Sequence, residues 1–185
     1  MNFNSHSALE GRHAFLSPSN YHWLNYDDDK LDARWVTSRK AARGSALHEL
    51  AHQAIILGVK LSKADPTLSM YVADGITYKM SVEQSLYYSD NCFGHADTIS
   101  FRRKCLRIHD LKTGATSTSF KQLEVYAALF CLEYGVSPFE IDMELRIYQN
   151  GEVRTHLPSP DHILHIMDKI MTFDRRIELL KEEVF

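Results

Sequence analysis

Apolar residues recur along this chain at helical spacing in several segments. Between residues 37 and 57 they lie three or four positions apart, and Gly58 follows. Positions with this spacing share one face of an α-helix, and glycine commonly ends a helix because it tolerates a left-handed backbone. Start signals and apolar spacing predict three further helices, over residues 65–80, 119–134 and 162–183.

Between the helices, apolar and polar residues alternate in short runs. The alternation is clearest over residues 140–148, and a period of two is typical of a strand with one buried face. Asn150-Gly151 follows, which is a strong signal for a tight hairpin turn. The other strands are predicted over residues 82–88, 94–101, 105–112 and 153–157. This order predicts the α/β class, with a mixed central sheet flanked by helices.

The composition predicts a single folded domain over residues 1–185. Hydrophobic residues make up 44% of the chain, which is enough for a core at this length. No apolar run approaches the roughly 18 residues of a membrane span. Residues 1–16 are too polar for a secretory signal. We therefore expect a soluble cytoplasmic protein without a membrane partner.

The net charge of −3 gives no general attraction to nucleic acid. Two local clusters of cations stand out against it: Arg39, Lys40 and Arg43, and then Arg102, Arg103 and Lys104. Such clusters either contact phosphates or form an ordinary solvated surface. The pattern alone does not separate these two interpretations.

Asp110 and Lys112 carry the most specific chemistry in the sequence. They lie two residues apart in the predicted strand 105–112, so their side chains point to the same face. A carboxylate beside a fixed ammonium suits phosphodiester hydrolysis, in which a metal and a cation stabilise the charge of the transition state. On an ordinary surface the same two residues would form an ion pair of little consequence.

Three further motifs accompany this pair. Asp97 lies 110 − 97 = 13 residues earlier, a spacing that lets two antiparallel strands bring both carboxylates to one end of a sheet. Gln122 and Tyr126 lie four residues apart and share one face of a predicted helix. His48 follows Gly44 by four residues in the first long helix.

In this order, the motifs Gly-x-x-x-His, Gly-x-x-Asp, Asp-x-Lys and Gln-x-x-x-Tyr resemble those of the RecB-like branch of the PD-(D/E)XK nucleases. They are most similar to the small exonucleases of phages and CRISPR-associated systems. The motifs span residues 44–126, and the resemblance extends over about residues 14–150. It implies a restriction-endonuclease-like core and a metal-dependent deoxyribonuclease, an exonuclease rather than an endonuclease.

The resemblance also implies a metal site. Asp97 and Asp110 would hold Mg²⁺ or Mn²⁺, because carboxylate oxygens are suitable ligands for these ions. His48 and the backbone carbonyl of Leu111 would be further ligands. Glu49 is the alternative to His48, since related nucleases use a helical acid at this point.

The remaining motif residues receive catalytic and DNA-binding roles from the same resemblance. Lys112 would orient or deprotonate the attacking water and balance the charge of the scissile phosphate. Gln122 and Tyr126 would support the active site and contact DNA. His95 and His109 flank the two acids in the sequence, and strand alternation predicts that they point away from them.

Some RecB-like nucleases carry an iron–sulfur cluster held by four cysteines. This chain has three, Cys92, Cys105 and Cys131, so we expect no cluster of that type. The small size resembles phage members of the family. That likeness suggests a phage recombination or replication protein as a partner besides DNA, and the host cytoplasm as the location if the protein is phage-encoded.

Three other functions fit parts of the sequence. The first is a structure-specific endonuclease on the same fold. The second is a nuclease-fold protein that binds DNA or assembles with a partner and carries out no chemistry. The third is a zinc protein that uses His48, His52 and His95, although their spacing supports no known zinc motif.

Overall fold

A computed structural model describes residues 14–16, 18–114 and 118–184 of the chain. The described residues form two compact units, Met1–Ser45 and Ala46–Phe185. The expectation of a single domain over residues 1–185 stays a prediction. In the described part of the chain, no helix is long and apolar enough to cross a membrane.

The first unit contains a 3₁₀ helix, Pro18–Asn25, and the beginning of helix α1, Asp28–Leu57. The sequence predicted that α1 starts near residue 37, so the observed start lies nine residues earlier. Asp27 explains the difference, because its Oδ1 accepts the backbone N–H of Lys30 at 2.8 Å. A carboxylate at this position satisfies a free N–H of the first turn and interacts favourably with the helix dipole.

The elements after α1 are α2 (Pro66–Thr77), β1 (Ser81–Ser89), β2 (Cys92–Arg102), β3 (Cys105–Leu111), α3 (Lys121–Tyr134), β4 (Asp142–Gln149), β5 (Glu152–His156) and α4 (Pro160–Val184). The second unit is built on a mixed five-stranded sheet in the order β1-β2-β3-β4-β5. The first three strands form an antiparallel meander, and β4 then pairs parallel with β3. Helix α3 provides the crossover that a parallel pair requires.

Two of the hairpin turns in this sheet are formed by consecutive residues with positive φ, and the turn at Asn150-Gly151 lies where the sequence predicted it. Arg103 and Lys104 have φ values of 53° and 59° between β2 and β3. Asn150 and Gly151 have φ values of 53° and 77° between β4 and β5. Two consecutive residues with positive φ form the tight turn whose twist matches that of the flanking strands. The register of both hairpins therefore follows from the local sequence.

The sheet separates two hydrophobic cores. On one side, helices α3 and α4 cover strand residues such as Ile108 and Ile147. On the other side, α2 and residues 51–55 of α1 cover Leu111 and Tyr148. Ile147 and Tyr148 are neighbours in β4, so strand alternation places them on opposite faces. The predicted α/β class, with a mixed central sheet flanked by helices, is confirmed.

Candidate active site

Asp110 and Lys112 lie at the end of β3 and contact each other. The Lys112 ammonium donates to Asp110 Oδ1 at 2.9 Å. Asp110 is almost fully buried, with 3% of its surface exposed, whereas 28% of the Lys112 side chain is exposed. The Lys112 backbone N–H donates to the Tyr148 carbonyl at 2.9 Å, so pairing with β4 continues past Leu111. The prediction that both side chains share one face is confirmed.

Asp97 reaches the same place from β2. The registered pairs between β2 and β3 run from Arg102–Cys105 to Thr98–His109. One residue beyond Thr98, the Asp97 carboxylate accepts the Leu111 backbone N–H at 3.2 Å. The Asp97 carboxylate therefore accepts a backbone hydrogen bond just beyond the last registered pair of β2 and β3. This bond links the two strands that carry the acidic residues.

His48 approaches Asp97 from helix α1. Its Nδ1 lies 3.5 Å from Asp97 Oδ2, and 27% of its side chain is exposed. Glu49, the alternative helical ligand, is exposed and accepts a hydrogen bond from Gln53 at 2.9 Å. The structure therefore groups His48, and not Glu49, with the two aspartates.

The electrostatics of Asp110 are unusual for a carboxyl group. Burial raises the pKa of Asp110 to about 6; the hydrogen bond from Lys112 opposes this shift, and the nearby Asp97 carboxylate adds to it. Asp110 Oδ2 is buried and has no hydrogen-bond partner among the residues that the structure describes. A buried oxygen without a partner is costly, and a cation at this point would stabilise the ionised form.

Helix α3 connects Lys112 to the backbone of β2. Gln122 Oε1 accepts from the Lys112 ammonium at 3.2 Å, and Gln122 Nε2 donates to the Tyr126 hydroxyl at 3.3 Å. The Tyr126 hydroxyl donates to the His95 carbonyl at 2.7 Å. The ring also lies against Gly94, where an added Cβ would be 2.9 Å from Tyr126 Cε1. The glycine of Gly-x-x-Asp is therefore required by the packing of Tyr126.

The side chains of the two histidines that flank the acids take no part in this group. Alternation accounts for His109, which is adjacent to Asp110 in β3. It does not account for His95, which lies two residues before Asp97 and therefore shares its face of β2. His109 is fully buried, and its Nδ1 lies 3.1 Å from the Tyr148 hydroxyl. Burial lowers the pKa of His109 to about 3, with Arg146 and Arg107 contributing, so this imidazole is neutral. The His95 side chain is exposed and lies 2.9 Å from the Ser85 hydroxyl.

A group of three residues beside the site was not predicted from the sequence. His52, one turn after His48, has 3% of its surface exposed. Its Nδ1 lies 3.1 Å from Glu83 Oε1, and its Nε2 lies 3.4 Å from the Tyr71 hydroxyl. Burial and the Asp97 carboxylate raise the pKa of Tyr71 well above its ordinary value, so its hydroxyl keeps its proton.

Glu83 reaches His52 through an unusual backbone conformation. Its φ is 48° in the middle of β1, a value that is rare for residues other than glycine. The neighbouring pairs Val82–Thr98 and Gln84–Ala96 place Glu83 across from Asp97. Strand alternation gives no signal for such a conformation, which is why sequence reasoning did not find this residue.

The candidate DNA-binding cations occupy two different units. Arg39, Lys40 and Arg43 are exposed residues of the first unit, and the Arg39 guanidinium lies 5.6 Å from the Trp35 ring centre. The other cluster, at the β2–β3 turn of the second unit, is also exposed: Arg102, Arg103 and Lys104. Phosphate contact by either cluster stays a prediction.

The side chains of this site include suitable ligands for a divalent metal ion, although they are not already arranged around one. Among the described residues, no group of three or more His, Cys, Asp or Glu side chains is arranged to hold a metal. The carboxylates of Asp97 and Asp110 nevertheless lie near each other. One buried oxygen, Asp110 Oδ2, has no hydrogen-bond partner in the described part of the chain. Carboxylate oxygens of this kind are the hard ligands that Mg²⁺ and Mn²⁺ prefer.

Comparison with known proteins gave no match to any protein-family model, curated protein or solved structure. The chemistry of the site is therefore inferred from its own geometry. The likeness of its four motifs to those of RecB-like nucleases stays a prediction.

Proposed function

We propose that this protein is a metal-dependent DNA nuclease with a restriction-endonuclease-like core of the RecB-like type. The observation that supports this proposal best is the meeting of four motifs at one point. Helix α1, the middle of β2, the end of β3 and helix α3 bring together His48, Asp97, Asp110, Lys112 and Gln122. A surface ion pair would require only Asp110 and Lys112, and would not explain why the other three residues lie beside them.

The acidic residues would hold the metal. Asp97 and Asp110 supply the oxygen ligands, and His48 and the Leu111 carbonyl complete the proposed set. When bound, Mg²⁺ or Mn²⁺ would supply Lewis-acid stabilisation of the phosphate charge and lower the pKa of a coordinated water. Burial raises the pKa of Asp110 by disfavouring its ionised form, even beside the Lys112 ammonium. A bound metal cation would stabilise that ionised form.

Lys112 would act on the phosphate or on the attacking water. Its ammonium is held at 2.9 Å from Asp110 and 3.2 Å from Gln122, so its position is fixed before substrate binds. A fixed cation stabilises developing charge without further reorganisation. Gln122 and Tyr126 would keep the ammonium aligned with the acids, because their hydrogen bonds link Lys112 to the backbone of β2.

The resemblance favours an exonuclease of the cytoplasm, or of the host cytoplasm if the protein is phage-encoded. Its partners would then be DNA and a recombination or replication protein. A structure-specific endonuclease would use the same group of residues, since both reactions hydrolyse the same bond.

The proposal predicts that cleavage depends on a divalent metal. End-labelled linear DNA, incubated with the purified protein, should be degraded with Mg²⁺ or Mn²⁺ and remain intact with chelator. Circular single-stranded DNA in the same assay separates the two activities, because an exonuclease leaves it intact and an endonuclease cuts it. Undiminished cleavage in chelator would contradict the proposed mechanism.

A further inference from the structure

An open groove of about 350 Å³ lies beside the edge strand β1 and the C-terminal half of α3. This volume is at the lower end of the roughly 300–1,000 Å³ that is usual for small-molecule sites. In the part of the chain that the structure describes, no charged side chain lines it. Aliphatic, aromatic and a few neutral polar residues form its walls, among them Gln84, Ile99, Ser100, Phe101, Phe130 and Tyr134.

Two exposed aromatic rings border this groove and share one support. Phe101 is 42% exposed and Tyr134 is 54% exposed, whereas Phe130 is buried. The Phe130 ring centre lies 5.0 Å from that of Phe101 and 4.9 Å from that of Tyr134. Contact with a buried ring restricts both exposed rings, so they offer flat surfaces at little further entropic cost.

Three cationic residues directly follow Phe101, a residue of the groove, in the sequence. Phe101 lies next to the exposed residues of the β2–β3 turn: Arg102, Arg103 and Lys104. Three adjacent positive charges beside neutral aromatic walls are complementary to a ligand that carries its negative charge outside its ring. A nucleotide in a DNA strand has this chemistry, since its phosphate is anionic and its base is planar and uncharged.

The groove and the candidate active site lie on the same two elements. In β2, Phe101 follows Asp97 by four residues, a distance of about 13 Å at the usual strand rise. In α3, one stripe of residues at intervals of four begins at the site and ends at the groove: Gln122, Tyr126, Phe130 and Tyr134. A strand bound at the two aspartates could therefore reach the groove within a few nucleotides.

We propose that this groove takes an unstacked base of single-stranded DNA, whose backbone lies along the β2–β3 turn. The proposal rests on the nuclease function argued above, and it adds that the substrate is single-stranded near the cleavage point. Phe101 and Tyr134 would stack against the base. A base held between duplex neighbours could not enter the groove without leaving its stack.

The test compares two oligonucleotides of equal length and charge, a labelled thymidine strand and its fully abasic counterpart. Fluorescence anisotropy in chelator measures both affinities with the full-length protein, so no cleavage is required. We expect the thymidine strand to bind about tenfold tighter or more, since base–aromatic stacking alone gives a difference of this order. Equal affinity for the two strands, or binding of neither, would overturn the proposal.

Substitutions of the two exposed aromatic residues test whether the preference for the thymidine strand arises in the groove. Phe101→Ala and Tyr134→Ala should each reduce the preference for the thymidine strand and leave the affinity for the abasic strand unchanged. Phe101 is 42% exposed and Tyr134 is 54% exposed, so neither change should prevent folding, and far-UV circular dichroism checks this. Phe173→Ala is the matched control, because Phe173 is 57% exposed on helix α4 and does not line the groove.

The outcomes separate this inference from the nuclease proposal. If the preference follows Phe101 and Tyr134 but no DNA is ever cleaved, the groove assignment stands and the enzymatic proposal fails. If cleavage occurs while Phe101→Ala and Phe173→Ala behave alike in binding, the groove is not a base site. An apolar peptide or another small molecule as the true occupant would give this second result.

Discussion

At the residue scale, the most informative residues are those whose surroundings or backbone conformation are energetically unfavourable for them. Asp110 is an acid almost fully removed from water, with one oxygen that lacks a partner among the described residues. Glu83 adopts a backbone conformation that its side chain disfavours. Glu83 lies across from Asp97 on the neighbouring strand, and Asp110 lies near enough to Asp97 to be affected by its charge. Asp97 also contacts His48. Local costs of this kind tend to concentrate at functional sites.

The first prediction at this scale concerns stability without metal. The folded-state pKa of Asp110 is about 6, above the roughly 3.9 of an unfolded aspartate. The folded protein therefore binds this proton more tightly, and the fold loses stability as pH rises from about 4 through 6. Asp110→Asn removes the ionisation, so its free energy of unfolding should exceed that of the wild type by roughly 1–3 kcal/mol at pH 7.5 in chelator.

Urea denaturation at several pH values measures this difference, which should shrink as pH falls towards 4. Mg²⁺ or Mn²⁺ should stabilise the wild type and leave Asp110→Asn unchanged, because binding only to the folded state adds stability. Asp142→Asn is the control, since Asp142 is exposed. A wild type that is more stable than Asp110→Asn in chelator at pH 7.5 would contradict this assignment.

At the element scale, most of the fold could be predicted from the sequence. The strands and helices of the second unit lie within a few residues of their predicted bounds, because alternation, helical spacing and turn residues act locally. Helix α1 was predicted too short since its first half is exposed and has no apolar stripe. Contacts of His52 and Glu83 could not be predicted, because they depend on how a helix meets an irregular strand.

The packing between α3 and β2 gives a prediction at this scale. Gly94→Ala adds a Cβ 2.9 Å from Tyr126 Cε1, and the hydrogen bond to His95 keeps this ring from moving freely. We expect the variant to lose about 1–3 kcal/mol of stability. Cleavage should fall severalfold or more, since the alignment of Gln122 with Lys112 depends on Tyr126.

Gly114→Ala is the matched control for this substitution. No heavy atom that the structure describes lies within 4 Å of the added Cβ at Gly114, so its stability should change little. Thermal unfolding and the DNA cleavage rate of both variants, measured side by side, give the comparison. Full activity of Gly94→Ala would show that Tyr126 does not position Lys112 for cleavage.

At the scale of the whole molecule, the sheet brings together side chains from distant parts of the sequence. His48 and Gln122 are 122 − 48 = 74 residues apart in the sequence, yet both lie beside the Asp97–Asp110–Lys112 group. The order of the motifs could be recognised from the sequence. Their meeting at one point follows from the register of the meander and from the crossover through α3.

The charge distribution gives a prediction at the same scale. A protein with a net charge of −3 must bind DNA through local cations, and the β2–β3 turn carries three of them. Replacing all three by alanine should reduce the slope of log affinity against log salt by up to about 2, since about 0.7 counterions are released per contact with single-stranded DNA. The residues replaced are Arg102, Arg103 and Lys104.

The same salt dependence, measured for a variant of the cluster in the first unit, shows which of the two cation clusters contacts the DNA backbone. That variant replaces Arg39, Lys40 and Arg43, which belong to the first unit. If its slope falls and that of the β2–β3 turn variant is unchanged, the DNA backbone follows the first unit instead. Two unchanged slopes would mean that both clusters are ordinary solvated surface.

The central claim is that Lys112 serves chemistry at a metal site formed by Asp97 and Asp110. The most direct test is the rate of DNA cleavage in Mg²⁺ by Lys112→Ala, with Lys121→Ala as the control, because Lys121 is an exposed lysine of helix α3. We expect Lys112→Ala to lose about a hundredfold or more of the rate while folding and DNA binding change little. Lys121→Ala should retain nearly all activity. Cleavage by Lys112→Ala at half the wild-type rate or more would contradict the claim.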